Sequence, residues 1–525
     1  MAGQRRLAPH ADDRRGLGSG RAVVLNSLRR IATGPVALAL IIVGLAAFAV
    51  VMVLGPSAAV PRIDSAGPMF WLNARPDPGL VIALERLGAL AGALGTITGL
   101  VAVNGGWRPS PWLLTGLGVI AVLVFVFLPP AGSTDVLNYA SYGRIASLGH
   151  SPYVMTPQQL LDSGDPVGQL TPAAWRAAPT IYGPVATAAQ WAAAEIGGGS
   201  MARIVFWIRL GKALAFLGTG AALIKLAGPA GGSGGSHPLH PPPTTRASTD
   251  QVGQLRVGLI WTASPLMLFW LVGSGHVDVF IAFFTACALI ALRRTGVIAG
   301  ILAGLFVGAA IAVKLTYAIV AAGLAWPVRR SAATILAGAC AVVAVVGTSY
   351  LWPGATNTAA LSRRLSAGAR FIFYLPHALA ARPTLLTALI LAATVAIAVL
   401  LIRGLPPESA DCPVPGVRLA LALAIASLVV LPVQTPWYDA LIFVLLALTP
   451  ASGLDYLLVA RCLLLTELVL PGAAPDTGAL GSVSGAVSHV GIFVLLAMLV
   501  IESWRGSWRA PVPRASVGAG LVGTL

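Results

Sequence analysis

The sequence predicts an all-α polytopic membrane protein, a bundle of about 14 transmembrane helices whose external loops bear interfacial helices. Three observations carry this. Hydrophobic residues make up 57% of the 525 positions and charged residues only 10%, and the mean hydropathy is +0.84, all far from the averages of soluble domains. The apolar residues fall in long Ala/Leu/Val/Ile/Gly runs, which suit helices and not alternating barrel strands. Acidic residues are scarce, 18 Asp plus Glu in all, so a carboxylate at a helix mouth is a candidate functional group.

Taken in order, a basic cytoplasmic tail (1–35) carries Arg5, Arg6, Arg14, Arg15, Arg21, Arg29 and Arg30. It places the N-terminus inside. The N-terminal transmembrane part (36–230) has expected spans near 36–55, 80–104, 112–130 and 202–227, with a large external loop over 131–201. The first run follows basic residues as a signal peptide does, but its length and the runs after it predict a retained helix. Residues 231–254, opening GGSGGSHPLHPPPTT, read as a flexible cytoplasmic linker. The C-terminal transmembrane part (255–503) has spans near 255–272, 278–292, 296–313, 315–327, 332–351, 384–403, 418–432, 437–449, 455–470 and 486–502, and 504–525 is a cytoplasmic tail. With this count Arg108, Arg246, Arg293, Arg294, Arg329, Arg330, Arg403, Arg505 and Arg509 all fall inside. The net charge of +16 therefore reads as topology and contact with anionic membrane lipid, and the scattered basic residues argue against nucleic acid. Cys287, Cys340, Cys412 and Cys462 form no CxxC pair and suggest neither disulfides nor a metal site.

The polar segments expected outside the membrane lie on one side. Asp135 opens the stretch DVLNYASYGRIASLGHSPY (135–153), which also holds Tyr139, Tyr142, Arg144 and His150; Tyr182 follows in IYGPV (181–185). The segment WRAAPTIYGPVATAAQWAAA (175–194) reads as interfacial helix. The turn GSGHVDVF (273–280) brings His276 and Asp278 to a helix end, where a carboxylate is also favoured on structural grounds alone. Lys314 interrupts an apolar stretch, costly for an ammonium unless it is paired or lines a wet cavity. The loop 352–383 carries Arg363, Arg364, Arg370, His377 and Arg382 against the positive-inside pattern, as binding of an external phosphate or of lipid headgroups requires. QTPWYDA (434–440) adds Trp437 and Tyr438, aromatics expected at any membrane interface. Arg461 and Glu467, inside one apolar span, call for structural partners on other helices.

The ordered set DVLNYASYGRIASLGHSPY, IYGPV, GSGHVDVF, AVKLTY and QTPWYDA resembles the actinobacterial MptB-like polyprenyl-phosphate-mannose-dependent α-1,6-mannosyltransferases of the GT-C glycosyltransferase superfamily. The likeness runs from about Asp135 to Asp439. It departs in the turn, where the family often has His-Asn-Asp or His-Asn-Glu and this chain has His276, Val277 and Asp278, and in the residues after PWY. The resemblance implies a GT-C-type bundle in the plasma membrane with its active site facing outside the cytoplasm. It implies transfer of mannose from a polyprenyl-phosphate donor to a growing α-1,6-mannan lipoglycan, the lipomannan and lipoarabinomannan core, with inversion. An inverting transfer needs a general base, for which Asp135 is the candidate, and cations near the leaving phosphate, for which Lys314, Arg363, Arg364 and Arg370 are candidates. His276 and Asp278 are expected to orient sugar hydroxyls; Tyr139, Tyr142, Trp437 and Tyr438 offer stacking faces, and Arg144, His150 and Tyr182 belong to the same substrate-binding set. No cofactor and no metal are expected beyond the lipid-linked donor. Three alternatives stand: transfer of another polyprenyl-phosphate-linked sugar such as arabinose; a transporter, against which the absence of an internal repeat speaks; and a non-catalytic scaffold of a cell-envelope assembly complex.

Overall fold

The computed structural model describes residues 15–228, 243–352, 382–408, 416–431, 434–471 and 479–508. Every regular element among them is helical. The N-terminal part holds α1 (Arg15–Leu54), α2 (Pro78–Asn104), α3 (Pro111–Phe127), α4 (Asp135–Ser147), the short α5 (Pro157–Asp162) and α6 (Pro166–Gln169), α7 (Pro184–Gly197) and α8 (Met201–Ala227). The C-terminal part holds α9 (Pro243–Val257), α10 (Pro265–Leu268), α11 (Asp278–Leu292), α12 (Val297–Val313), α13 (Ala318–Ala325), α14 (Ala332–Leu351), α15 (Pro383–Gly404), α16 (Val417–Val429), α17 (Asp439–Leu446), α18 (Gly453–Val469) and α19 (Ala479–Arg505).

Local chemistry sets several starts. Proline opens α2, α3, α7, α10 and α15, where its missing N–H is no loss. The Asp77 and Ser200 side chains accept from Leu80 and Arg203 backbone N–H groups at the heads of α2 and α8.

Each of the fourteen expected stretches is mostly helical over its described residues, yet only six helices among the described residues are long and apolar enough to cross a bilayer: Thr33–Leu54, Pro78–Asn104, Met201–Ala227, Ala332–Leu351, Thr384–Gly404 and Ala486–Arg505. A seventh is a bent pair, Asp250–Thr262 with Pro265–Gly273, turned by 42°. The bend follows from Pro265, which cannot donate into the preceding turn, and is flanked by two wide turns, Gly258–Thr262 and Phe269–Gly273. Pro111–Phe127, Asp278–Leu292, Val297–Val313, Leu315–Val328, Val417–Val429 and Pro436–Leu446 are shorter apolar helices. The stretch expected as a linker is helical from Pro243 onward; 229–242 lie outside the described residues. The expected interfacial segment 175–194 is one short turn at Ala173–Trp175 followed by α7.

Large side chains fill the centre. Phe48 of α1 stacks on Phe269 at 3.9 Å between ring centroids, and Phe216 of α8 on Trp261 at 4.9 Å. Peripheral helices α14, α15 and α19 bury little, exposing Leu336, Val343, Val395 and Val490, as lipid-facing helices do. The chain is a membrane protein. Several charges inside the bundle have partners elsewhere in the chain: Arg461 with Asp439 and Gln434, Glu467 with Arg86 at 3.6 Å, and Arg256 with Asp455 at 2.6 Å. Cys287, Cys340 and Cys462 are free thiols; Cys412 lies outside the described residues.

Candidate functional site

Segments far apart in sequence meet around Asp135. It is the first residue of α4, where a carboxylate faces the positive end of the helix, and its side chain is 19% exposed. The His276 imidazole lies against it, Nδ1 at 3.7 Å from Oδ2. That ring is fully buried and lies flat on Trp437, with centroids 3.6 Å apart and planes 7° from parallel. Neither of its nitrogens makes a hydrogen bond. Burial first, then the Lys212 and Lys314 charges, push its pKa well below the usual histidine value, so the ring is neutral.

Asp278 opens α11 and receives a hydrogen bond from Lys314 Nζ at 3.0 Å. Lys314 sits where α12 ends, on a residue with extended backbone, and its ammonium lies over the Tyr438 ring at 3.5 Å. The Tyr139 and Tyr182 hydroxyls are 3.2 Å apart, their rings edge to face at 5.0 Å. Behind Tyr139 is Lys212 of α8, 1% exposed, with Nζ 4.2 Å from the ring centroid and a hydrogen bond to the Gly275 carbonyl.

The main effect on Asp135 is burial, which raises its pKa; Lys212 lowers it, Asp278 raises it and Lys314 lowers it, and the outcome is about 6. A carboxylate so tuned is a proton acceptor at neutral pH, and the ammonium groups beside it suit an anionic group.

A cavity of about 210 Å³ opens from this cluster. Asp278, Lys314 and Tyr438 form its polar end, and apolar residues such as Ile319, Ile390, Leu428 and Leu431 continue it between α13, α15 and α16.

The structure thus gathers Asp135, Tyr139, Tyr182, His276, Asp278, Lys314, Trp437 and Tyr438. It gives three other expected residues different surroundings. The Tyr142 hydroxyl donates to the Ala178 carbonyl at 2.8 Å, Arg144 pairs with Asp165 at 2.9 Å, and His150 is exposed at the turn after α4. The first two tie the segment 131–201 together. Arg363, Arg364 and Arg370 lie outside the described residues. Lys212 escaped the sequence reading, although an ammonium within the apolar run 202–227 is the same signal that singled out Lys314. Arg209, one turn earlier, is also buried, and its guanidinium holds the carbonyls of Phe125, Leu128 and Val272. Among the described residues no group of three or more His, Cys, Asp or Glu could hold a metal ion.

Fold and site together define an all-helical membrane protein with two carboxylates and two ammonium groups gathered near one end of an apolar cleft. Residues 34–236 match the MptA_B family model, described as alpha-(1->6)-mannopyranosyltransferase, N-terminal domain, which supports a mannosyltransferase family for this chain. Asp135, Tyr139, Tyr182 and Lys212 fall within the matched stretch; His276, Asp278, Lys314, Trp437 and Tyr438 follow it. No curated protein and no solved structure matches.

Proposed function

We propose that this chain is a GT-C-type glycosyltransferase of the plasma membrane, MptB-like, that moves mannose from polyprenyl-phosphate mannose to a growing α-1,6-mannan lipoglycan at the outer face. The observation that carries this reading is the cavity with Lys314 at its polar end. A donor with a phosphate head and an isoprenoid tail needs a cation beside an apolar channel that opens between membrane helices, and this cleft has both. The match to a mannosyltransferase family supports the sugar. The short apolar helices and α18 complete the crossing of the bilayer, giving about 14 spans in all.

In the proposed reaction Asp135 takes the proton from an acceptor hydroxyl as its oxygen attacks C1 of the mannosyl group. The bond between C1 and the phosphate oxygen breaks on the opposite face, so the configuration inverts and polyprenyl monophosphate leaves. Because the leaving group is already a phosphate, Lys314 balances its charge and no strong acid is needed. His276 is too deeply buried to touch a sugar and instead forms the wall behind Asp135 with Trp437. Tyr438 bounds the cleft beside Lys314, and the half-buried Trp437 stands next to it against His276.

The test is transfer of radiolabelled mannose from polyprenyl-phosphate mannose to a short α-1,6-mannoside, in membranes carrying the wild type or Asp135→Asn. Product from the wild type alone supports the reading. Equal product from both removes Asp135 as base, and product only with a polyprenyl-phosphate arabinose donor changes the sugar.

A further inference from the structure

The geometry points to Lys212 as a positioning residue for the proposed transfer, the buried counter-ion that keeps Asp135 ionised and holds the His276 turn against it. The inference rests on the function proposed above for Asp135. An ammonium in the interior of a membrane bundle is costly unless polar or charged groups compensate it. Lys212 is 1% exposed, on the long helix α8. One hydrogen bond goes to the carbonyl of Gly275, a residue with φ +75° next to His276, and its charge lies over the Tyr139 face. It therefore bridges the two segments that carry Asp135 and His276.

The other charges near Asp135 are accounted for. Lys314 is engaged by Asp278 at 3.0 Å and by the Tyr438 ring. His276 is neutral, and Arg209 is held by three backbone carbonyls. Tyr139 and Tyr182 bond each other. Asp278 adds a like charge. Lys212 and Lys314 both offset the charge of Asp135, Lys212 more strongly, and Lys314 is already paired with Asp278. Removing Lys212 leaves burial and Asp278, opposed only by the Asp278-bound Lys314, to favour the protonated acid, which cannot act as a base.

The test uses the full-length protein in proteoliposomes. A hydrophobic carbodiimide modifies protonated carboxyl groups, so the pH midpoint of Asp135 labelling, read by peptide mass spectrometry, reports its ionisation without any need for transfer. Lys212→Gln removes the charge and keeps a donor for Gly275; Lys212→Arg keeps the charge. We expect Lys212→Gln to raise the labelling midpoint and the acid limb of kcat/KM together by about one pH unit or more, and Lys212→Arg to leave both near the wild-type position. An unchanged midpoint in Lys212→Gln, or an equal rise in both variants, overturns the counter-ion role while wild-type transfer leaves the function standing. A raised midpoint with no transfer by the wild type overturns the function and with it the base that Lys212 serves. Lys212→Met is read the same way if Lys212→Gln does not accumulate.

Discussion

Asp135 decides the pH behaviour of the site. Its pKa, pushed up to about 6 chiefly by burial, means that the ionised base is the major form only above that value. The kcat/KM for transfer is therefore expected to fall as pH drops through about 6, measured with a donor whose phosphate stays ionised across the range. Stability runs the other way. A carboxyl whose pKa rises on folding favours the native state fully below its unfolded value near 3.8, and this is lost as pH climbs through about 6. Asp135→Asn should accordingly lose about 10²-fold or more in rate while melting higher than the wild type at pH 8 in a thermal-shift assay. A variant that melts lower would show that the Asp135 charge is structurally required. Asp135, Asp278 and Lys314 were legible in the sequence because ionised groups at membrane helix ends are costly. Lys212 carried the same signal and was hidden by the length of its apolar run. Tyr142 and Arg144 show the converse: they share a motif with Asp135, but α4 carries them to partners at Ala178 and Asp165.

At the scale of elements, the YGP motif is explained by a close approach. Gly183 donates its N–H to the Val313 carbonyl at 3.0 Å, and a Cβ there would stand 2.1 Å from the Ala312 carbonyl oxygen. Glycine is required because the head of α7 rests on the end of α12, the residue before Lys314. Gly183→Ala must displace α12 or α7 and move the ammonium with it. We expect a loss of transfer of about tenfold or more from a misplaced cation, together with a lower melting temperature; wild-type values in both would remove Gly183 as a strut. The apolar cleft makes a second prediction. Ser427→Trp on α16 fills part of the space between α15 and α16, so it should raise KM for a long-chain polyprenyl donor by about tenfold and matter less for a short-chain analogue. Equal effects on both donors would place the tail elsewhere. The helical character of all fourteen stretches was legible from their apolar runs. The break at Ser264 and Pro265 was not read as one, because the residues on either side are as apolar as an unbroken span.

For the whole molecule, the site is assembled from both sides of the segment 229–242. Asp135, Tyr139, Tyr182 and Lys212 come from the first part, and His276, Asp278, Lys314, Trp437 and Tyr438 from the second. The packing of α8 on α11 brings the two sets together. All of these residues lie near helix ends or on one helix that follows the segment 131–201, so the proposed chemistry stands or falls with the orientation of the chain. The arginine distribution predicts residues 131–201 outside and the turn between α11 and α12 inside. In a cysteine-free background, Ser163→Cys and Thr295→Cys test this, since both positions are exposed. A membrane-impermeant maleimide should label Ser163→Cys in intact cells and Thr295→Cys only after permeabilisation. The reverse pattern would put Asp135 and Lys314 on the cytoplasmic side. The arginine argument would then fail for this chain, and a donor presented at the outer face could not reach the base.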